Sequence, residues 1–98
     1  MKVKGADCKD IQMFIKEQFG DDCYDKWFYI LPEESKKIYV GNIIEGFKYE
    51  ISHGFHIPLR KMCEMFYKFN IDKGAIEFGI WSGKRALTTT YKLFLKSE

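Results

Sequence analysis

Two histidines and a cysteine in the third quarter of the chain are the residues best suited to hold a metal. His53 and His56 lie three positions apart, and Cys63 follows seven positions later. Imidazole nitrogen and thiolate sulfur are preferred ligands of Zn²⁺, and this spacing can close a tetrahedral site. The sequence offers no second Cys or His pair to complete the site, and histidines in a glycine-containing loop are more often exposed or hydrogen-bonded. We therefore expect no metal and no other cofactor.

The other side chains that could catalyse a reaction have simpler structural explanations. Cys8, Cys23 and Cys63 fall on the apolar sides of helical patterns, where a cysteine packs as a small hydrophobic residue. The carboxylate pairs Asp21–Asp22 and Glu33–Glu34 stand at predicted helix starts, where negative charge interacts favourably with the helix dipole. No phosphate-binding loop, serine-hydrolase motif or zinc-protease motif occurs. The sequence predicts no catalytic residue, and we expect that the protein is not an enzyme.

The composition indicates one folded domain in a reducing compartment. The 98 residues are 46% hydrophobic and 31% charged, with 2 prolines and 8 glycines. This composition is typical of a globular protein and leaves little room for linkers. The three cysteines form no CxxC pair, which favours reduced thiols. No apolar run approaches the roughly 20 residues of a membrane span, and no signal-peptide pattern follows Met1, so we expect a soluble, cytoplasmic single domain over residues 1–98.

The charge of the chain is modest and unevenly distributed. Residues 1–59 carry 8 Lys against 10 acidic residues, whereas residues 60–98 carry 8 Lys and Arg against 4 acidic residues. The second half should therefore present a mildly basic face, which lacks the clustered charge of a dedicated nucleic-acid binder. Aromatic residues make up 17% of the chain, and such an excess in a small domain often lies at an interface.

Helical periodicity, together with start and stop signals, predicts a mostly α fold of about five helices. Acidic residues stand where the helices should begin, a proline opens two of them, and glycine stands after the first. The predicted helices run from Asp7 to Gly20, from Asp21 or Asp22 to Leu31, from Pro32 to Tyr39, from Pro58 to Asn70, and from Asp72 to Leu95. A small helical bundle with an aromatic core is the fold expected from this pattern.

Helical periodicity breaks down between residues 40 and 56. Three glycines punctuate this segment, and Phe47, Tyr49 and Ile51 alternate with polar residues as they would in a strand. We expect an irregular segment here that contains a short strand or hairpin.

One side of the last helix is apolar and carries two glycines. Its members are Ile76, Ile80, Leu87, Tyr91 and Phe94, with Gly79 and Gly83 set among them. A glycine inside a helix costs about 0.8–1 kcal/mol relative to alanine, which implies a compensating close contact with another helix. That helix is either the first helix of the same chain or the same helix of a second chain in a homodimer.

The opposite side of the last helix combines a tryptophan with cations. It comprises Trp81, Lys84, Arg85, Thr88 and Lys92, beside Glu77. Trp81 and Arg85 are one turn apart and therefore close enough to stack, a combination found at interface hot spots. We predict that this side is the interaction face, although a wide helix could also bury Trp81 in the core. Stacking beside cations would also serve single-stranded nucleic acid.

Five features recur in an order known from other proteins. They are a first helix ending in Phe19-Gly20-Asp21, a second helix with a tryptophan, a Leu-Pro junction, a helix entered through Ile57-Pro58, and a glycine-bearing last helix. Together they resemble the helical opening of haem nitric oxide/oxygen-binding domains and of a bacterial family of uncharacterised regulatory domains. The resemblance implies a helical regulatory module in which residues 40–55 are an insertion. The Tyr-x-Ser-x-Arg propionate clamp is missing and His53 and His56 match no ligand, so haem is not implied.

These observations favour binding over catalysis as the function. We predict a non-catalytic regulatory or protein-interaction module of a bacterial cytoplasm, which binds a protein partner and self-associates. One alternative is a small-ligand sensor with a pocket between aromatic helices. Another is a weakly basic protein that binds single-stranded nucleic acid, which the modest charge makes the less favoured reading.

Overall fold

The computed structural model describes the backbone of residues 1–96 and the side chains of residues 1–88. Over that range the chain forms five α-helices, one two-stranded antiparallel sheet and a single π-helical turn. The elements are β1 (Lys2–Lys4), α1 (Gly5–Phe19), α2 (Asp21–Tyr29), α3 (Glu33–Tyr39), β2 (Lys48–Glu50), the π-turn (Ser52–His56), α4 (Ile57–Phe66) and α5 (Ile71–Lys96). The prediction of a mostly α domain with about five helices is confirmed.

A glycine and a proline set the boundaries between the first three helices. Gly20 has φ +91°, a conformation that side chains with a Cβ rarely adopt, and its N–H donates to the carbonyl of Lys16 at 3.0 Å. The chain therefore stops after Phe19 and restarts at once with Asp21 in the first turn of α2. Pro32 directly precedes α3, where its fixed φ and missing N–H cost nothing.

The segment between α3 and α4 contains the predicted short strand, but its partner is distant in sequence. β2 pairs with β1 at the beginning of the chain, with Val3 opposite Tyr49, and no local hairpin forms. The π-turn follows and runs directly into α4. Gly54 lies within this turn at a crowded point, because a Cβ there would meet Cβ of Tyr49 at 3.2 Å and Sγ of Cys8 at 3.3 Å.

Two buried aromatic side chains join α2 and α3 to the π-turn and α4. Trp27 is fully buried, and its indole Nε1 donates to the carbonyl of Pro58 at 3.0 Å. The ring of Tyr39 packs edge-on to Trp27 at 5.2 Å between centroids, and its hydroxyl donates to the carbonyl of Gly54 at 2.7 Å. These bonds satisfy the polar tip of each aromatic where water cannot reach it. Among the residues whose side chains are described, the other buried apolar side chains are Cys8, Ile11, Phe14, Ile15, Tyr24, Leu31, Ile43, Pro58, Met62, Cys63 and Phe78.

Helix α5 begins after an unusual tight connection. Lys68 and Phe69 have φ of +51° and +67°, so two residues that are not glycine adopt the left-handed conformation. Phe69 is 73% exposed, and α4 ends at Phe66, before the predicted end at Asn70. The Oδ1 of Asn70 accepts a hydrogen bond from the N–H of Lys73 at 3.1 Å, which makes Asn70 the cap of α5 in place of the predicted Asp72.

The close approach of α5 to the rest of the chain occurs at Gly74. A Cβ on Gly74 would clash with Sγ of Cys63 and would lie 2.9 Å from a ring carbon of Tyr67, so α4 and α5 pack together at short distance here. At Gly79 and Gly83 a Cβ would meet no atom within 4 Å. The prediction that these two glycines pack against the first helix of the same chain is therefore wrong among the described residues.

Alanine substitutions should separate the two kinds of glycine in α5. We expect Gly74→Ala to lower the free energy of unfolding by about 1–3 kcal/mol, because the added methyl overpacks the contact with Cys63. Gly79→Ala should raise it by about 0.5–1 kcal/mol, because an exposed helical position gains intrinsic stability. Chemical denaturation of both variants at one protein concentration measures the difference. Equal effects at the two positions would contradict the assignment of the close contact to Gly74.

Candidate interaction surface

The outward side of α5 carries a row of apolar side chains with no cover in the described part of the chain. We call Ile76, Ile80, Gly83 and Leu87 the outer row. Ile76 is 62% exposed, Ile80 53% and Leu87 73%. Gly83 is exposed and forms a notch in the row, because nothing lies within 4 Å of the place where its Cβ would be. Large side chains aligned in this way are a typical sign of an interaction site.

Aromatic packing decides which side of α5 faces the core. Phe78 is only 6% exposed, and its ring meets Phe14 of α1 edge-on at 5.4 Å. Trp81 is half-buried and meets the same Phe14 ring at 5.5 Å. The aromatic side of α5 is thereby buried against α1, and this side has the larger apolar surface. The outer row lies on another side of the helix and stays exposed to water.

A polar cluster fixes the same orientation one turn further along α5. Asp10 of α1 accepts a hydrogen bond from the hydroxyl of Ser82 at 2.9 Å and pairs with the guanidinium of Arg85. The guanidinium also lies 5.9 Å from the ring centroid of Trp81, a cation–π contact. Burial raises the pKa of Asp10 above its ordinary value, and this effect outweighs Ser82 and Arg85, which lower it.

The predicted interaction face is therefore divided by the structure. Trp81 and Arg85 stack as predicted but turn towards α1, whereas Lys84 is exposed. The hydroxyl of Thr88 donates to the carbonyl of Lys84 at 2.9 Å within the helix, and the side chain of Lys92 lies outside the described residues. A half-buried tryptophan lends no support to base stacking with nucleic acid.

The sequence does not predict the cluster of Asp10, Ser82 and Arg85, because its residues belong to two helices that are far apart in the chain. Asp10 stands four positions before Phe14, and Arg85 stands four positions after Trp81, so each polar residue shares a helix side with an aromatic one. Since α1 and α5 contact each other in opposite directions, the two patterns meet. Neither pattern is distinctive alone, and their complementarity is apparent only when the helices are placed side by side.

The three metal candidates do not form a ligand set. His56 is exposed, and the backbone N–H of His53 donates to the carboxylate of Glu50 at 3.0 Å. Cys63 is buried against α5 and its thiol donates to the carbonyl of Ile71 at 3.7 Å. In the part of the chain that the structure describes, no three His, Cys, Asp or Glu side chains are grouped so that they could hold a metal.

The buried thiols have little nucleophilic character. Burial raises the pKa of the Cys8 thiol to about 11, and it also raises the pKa of Cys63. Both thiols are therefore protonated at neutral pH, and a protonated thiol is a poor nucleophile. The predicted packing role of Cys8 and Cys63 agrees with their complete burial.

Two grooves border the part of α5 whose side chains the structure describes. The larger has a volume of about 570 Å³ and lies where the end of α1 meets the α4–α5 connection. Its walls include the rings of Phe19 and Phe66, which stack at 4.3 Å, and the ammonium-bearing Lys68 and Lys73. The smaller groove, of about 200 Å³, lies between α1 and α5 and reaches Ile80 of the outer row.

Comparisons with protein-family models, with curated proteins and with solved structures found no match. The resemblance to haem nitric oxide/oxygen-binding domains therefore stays a prediction. No helix over the described residues is long and apolar enough to cross a membrane.

A double-mutant cycle on Asp10 and Arg85 should measure how firmly α1 holds α5. Asp10→Ala should lower the free energy of unfolding by about 1–3 kcal/mol, because it removes the carboxylate that engages both Ser82 and Arg85. Arg85→Ala should cost a similar amount, and the double variant should cost clearly less than the sum of the two. Urea denaturation provides the values, and Glu17→Ala serves as the control because Glu17 is an exposed carboxylate on the same helix. Strictly additive effects would show that the pair does not couple the helices.

Proposed function

We propose that the protein is a non-catalytic interaction module with a regulatory role, and that the outer row of α5 is its binding surface. The observation that carries the proposal is the exposure of Ile76, Ile80 and Leu87 along one side of a single helix. Each such side chain gains roughly 1.5–3 kcal/mol when it is moved fully out of water. A partner that covers the row therefore gains a substantial apolar contribution to its binding free energy.

The length of α5 supports the same proposal. The side chains directly after Arg85, those of Ala86, Leu87 and Thr88, are all exposed, and the helical backbone continues to Lys96. The helix therefore extends beyond Leu87, the last member of the outer row, and a partner can follow the whole row without reaching the end of the helix.

The state of the buried side chains favours binding over catalysis. Cys8 and Cys63 are protonated because burial raises their pKa, and Asp10 is engaged by Ser82 and Arg85. These groups serve packing and helix alignment, whereas a nucleophile or general base needs access to a substrate.

Thiol labelling in intact cells tests whether the outer row is covered, whatever the partner is. Ile76→Cys places a thiol on the row, and Ile44→Cys is a matched control because both isoleucines are 62% exposed. In intact cells that produce the protein naturally, we expect a maleimide to label the Ile76→Cys variant several-fold more slowly than the Ile44→Cys variant. The difference should disappear in denaturant. Equal labelling rates in the cells would contradict the proposal, after subtraction of the parent protein's own labelling at partly buried Cys23.

A second candidate function is the binding of a small planar anion in the larger groove. The stacked rings of Phe19 and Phe66 form an apolar wall, and Lys68 and Lys73 supply positive charge that exceeds the single negative charge of Glu77 in the same groove. Apolar walls with a few placed polar groups are typical of ligand sites. This candidate retains the predicted pocket between aromatic helices.

Anilinonaphthalene sulfonate is a suitable probe for this groove because it combines a planar naphthalene ring with an anionic sulfonate. We expect Lys73→Gln to weaken binding of the probe by about tenfold, since one cation of the groove is lost. Lys26→Gln, which removes an exposed lysine from α2, should leave binding unchanged. Fluorescence titration measures both affinities. Equal affinities for the two variants would remove the groove from consideration.

A further inference from the structure

We propose that the occupant of the outer row is α5 of a second copy of this chain, packed antiparallel so that the two helices cross beside Gly83. This inference rests on the proposed function and adds the identity of the partner and its orientation.

The spacing of the row is that of a helix-pairing seam. Its members lie at positions 76, 80, 83 and 87, and alternating steps of four and three residues keep side chains facing a partner helix. Phe78, Trp81 and Arg85 occupy the remaining sides of α5 and are engaged by the chain's own α1. A second helix can therefore lie along the row without displacing these contacts with α1. From Ile76 to Leu87 the seam runs for about 17 Å.

Side-chain size along the row selects an antiparallel pair. A two-fold axis near the middle of the row places Ile80 of one copy opposite Gly83 of the other, so that a large side chain enters the notch. Ile76 then meets Leu87 of the second copy. A parallel pair would place Gly83 opposite Gly83 and leave a gap in the seam, and such a gap forfeits packing contacts. The open space beside Gly83 is the geometric basis of this choice.

Charge complementarity selects the same orientation. Glu77 and Lys84 are exposed and flank the row on the same side, seven positions apart. The carboxylate of Glu77 also accepts a hydrogen bond from the hydroxyl of Tyr67. An antiparallel two-fold brings Glu77 of each copy towards Lys84 of the other, which makes two favourable ion pairs. In a parallel pair the flanking acids Asp72 and Glu77 of the two copies would approach each other as like charges. Self-complementarity of one surface patch is what a two-fold interface requires.

A charge-swap series in the purified chain tests both the partner and the orientation. Glu77→Lys alone and Lys84→Glu alone should each weaken dimerisation by about tenfold, because each creates two like-charge pairs across the axis. The double variant should return the dissociation constant to within about threefold of the parent, since the exchanged charges again face their opposites. Equilibrium sedimentation gives the constants, and circular dichroism confirms that each variant keeps its helix content.

Disulfide trapping gives an independent reading of orientation in a background where Cys23 is replaced by Ser. A mixture of Ile76→Cys and Leu87→Cys chains should form the mixed disulfide in preference to either symmetric one.

A strict monomer at every attainable concentration would overturn the inference. Failure of the double charge variant to recover dimerisation, or preferential formation of the symmetric disulfides, would overturn it as well. Protection of position 76 in native cells together with a monomeric purified chain would leave the proposed function standing with a different partner. Equal labelling in cells together with a monomeric chain would remove both.

Discussion

The need of a buried indole N–H for an acceptor governs how this small chain is arranged. Trp27 is completely removed from water, and the carbonyl of Pro58 receives its hydrogen. Without that acceptor the fold would carry an unsatisfied donor, at a cost of roughly 1–3 kcal/mol. The bond brings α2 to the start of α4, and the neighbouring bond from Tyr39 to Gly54 brings α3 to the π-turn. Once these elements are fixed, β2 lies where the beginning of the chain can pair with it.

Two sides of helix α5 could each have packed against this arrangement. Both sides are apolar enough to be buried, but α1 offers an aromatic ring at Phe14 and a carboxylate at Asp10. Phe78, Trp81 and Arg85 match that pair of groups, whereas aliphatic side chains would bury Asp10 without a partner. An unpaired buried carboxylate costs more than an exposed isoleucine. The polar group on α1 therefore decides which hydrophobic side chains of α5 remain in water.

The sequence contains enough local information to predict most of the fold, but little of the surface. Gly20, Pro32 and Pro58 act through their own backbone conformations, so helix ends next to them can be predicted one residue at a time. The pairing of β1 with β2 could not be predicted in this way, because the alternation around Tyr49 predicts a strand without its partner, and β1 is only three residues long and far away in sequence. The roles of Gly74 and Gly83 could not be separated either. Both glycines stand within one helical pattern, and only the position of Cys63 on α4 distinguishes them.

The π-turn also has a consequence for how this chain can change its length during evolution. One π-turn holds an additional residue compared with an α-helical turn, and each residue of a helix advances the side chains by about 100°. Loss of one residue between Ser52 and His56 would therefore rotate Pro58, Met62 and Cys63 of α4 away from the core, where all three are now buried. The same deletion between Gly41 and Gly46 would disturb no helical phase, but it would displace the carbonyl of Glu45 that accepts from the N–H of Ala6. Relatives of this protein should consequently keep a constant number of residues from the π-turn to the end of α4.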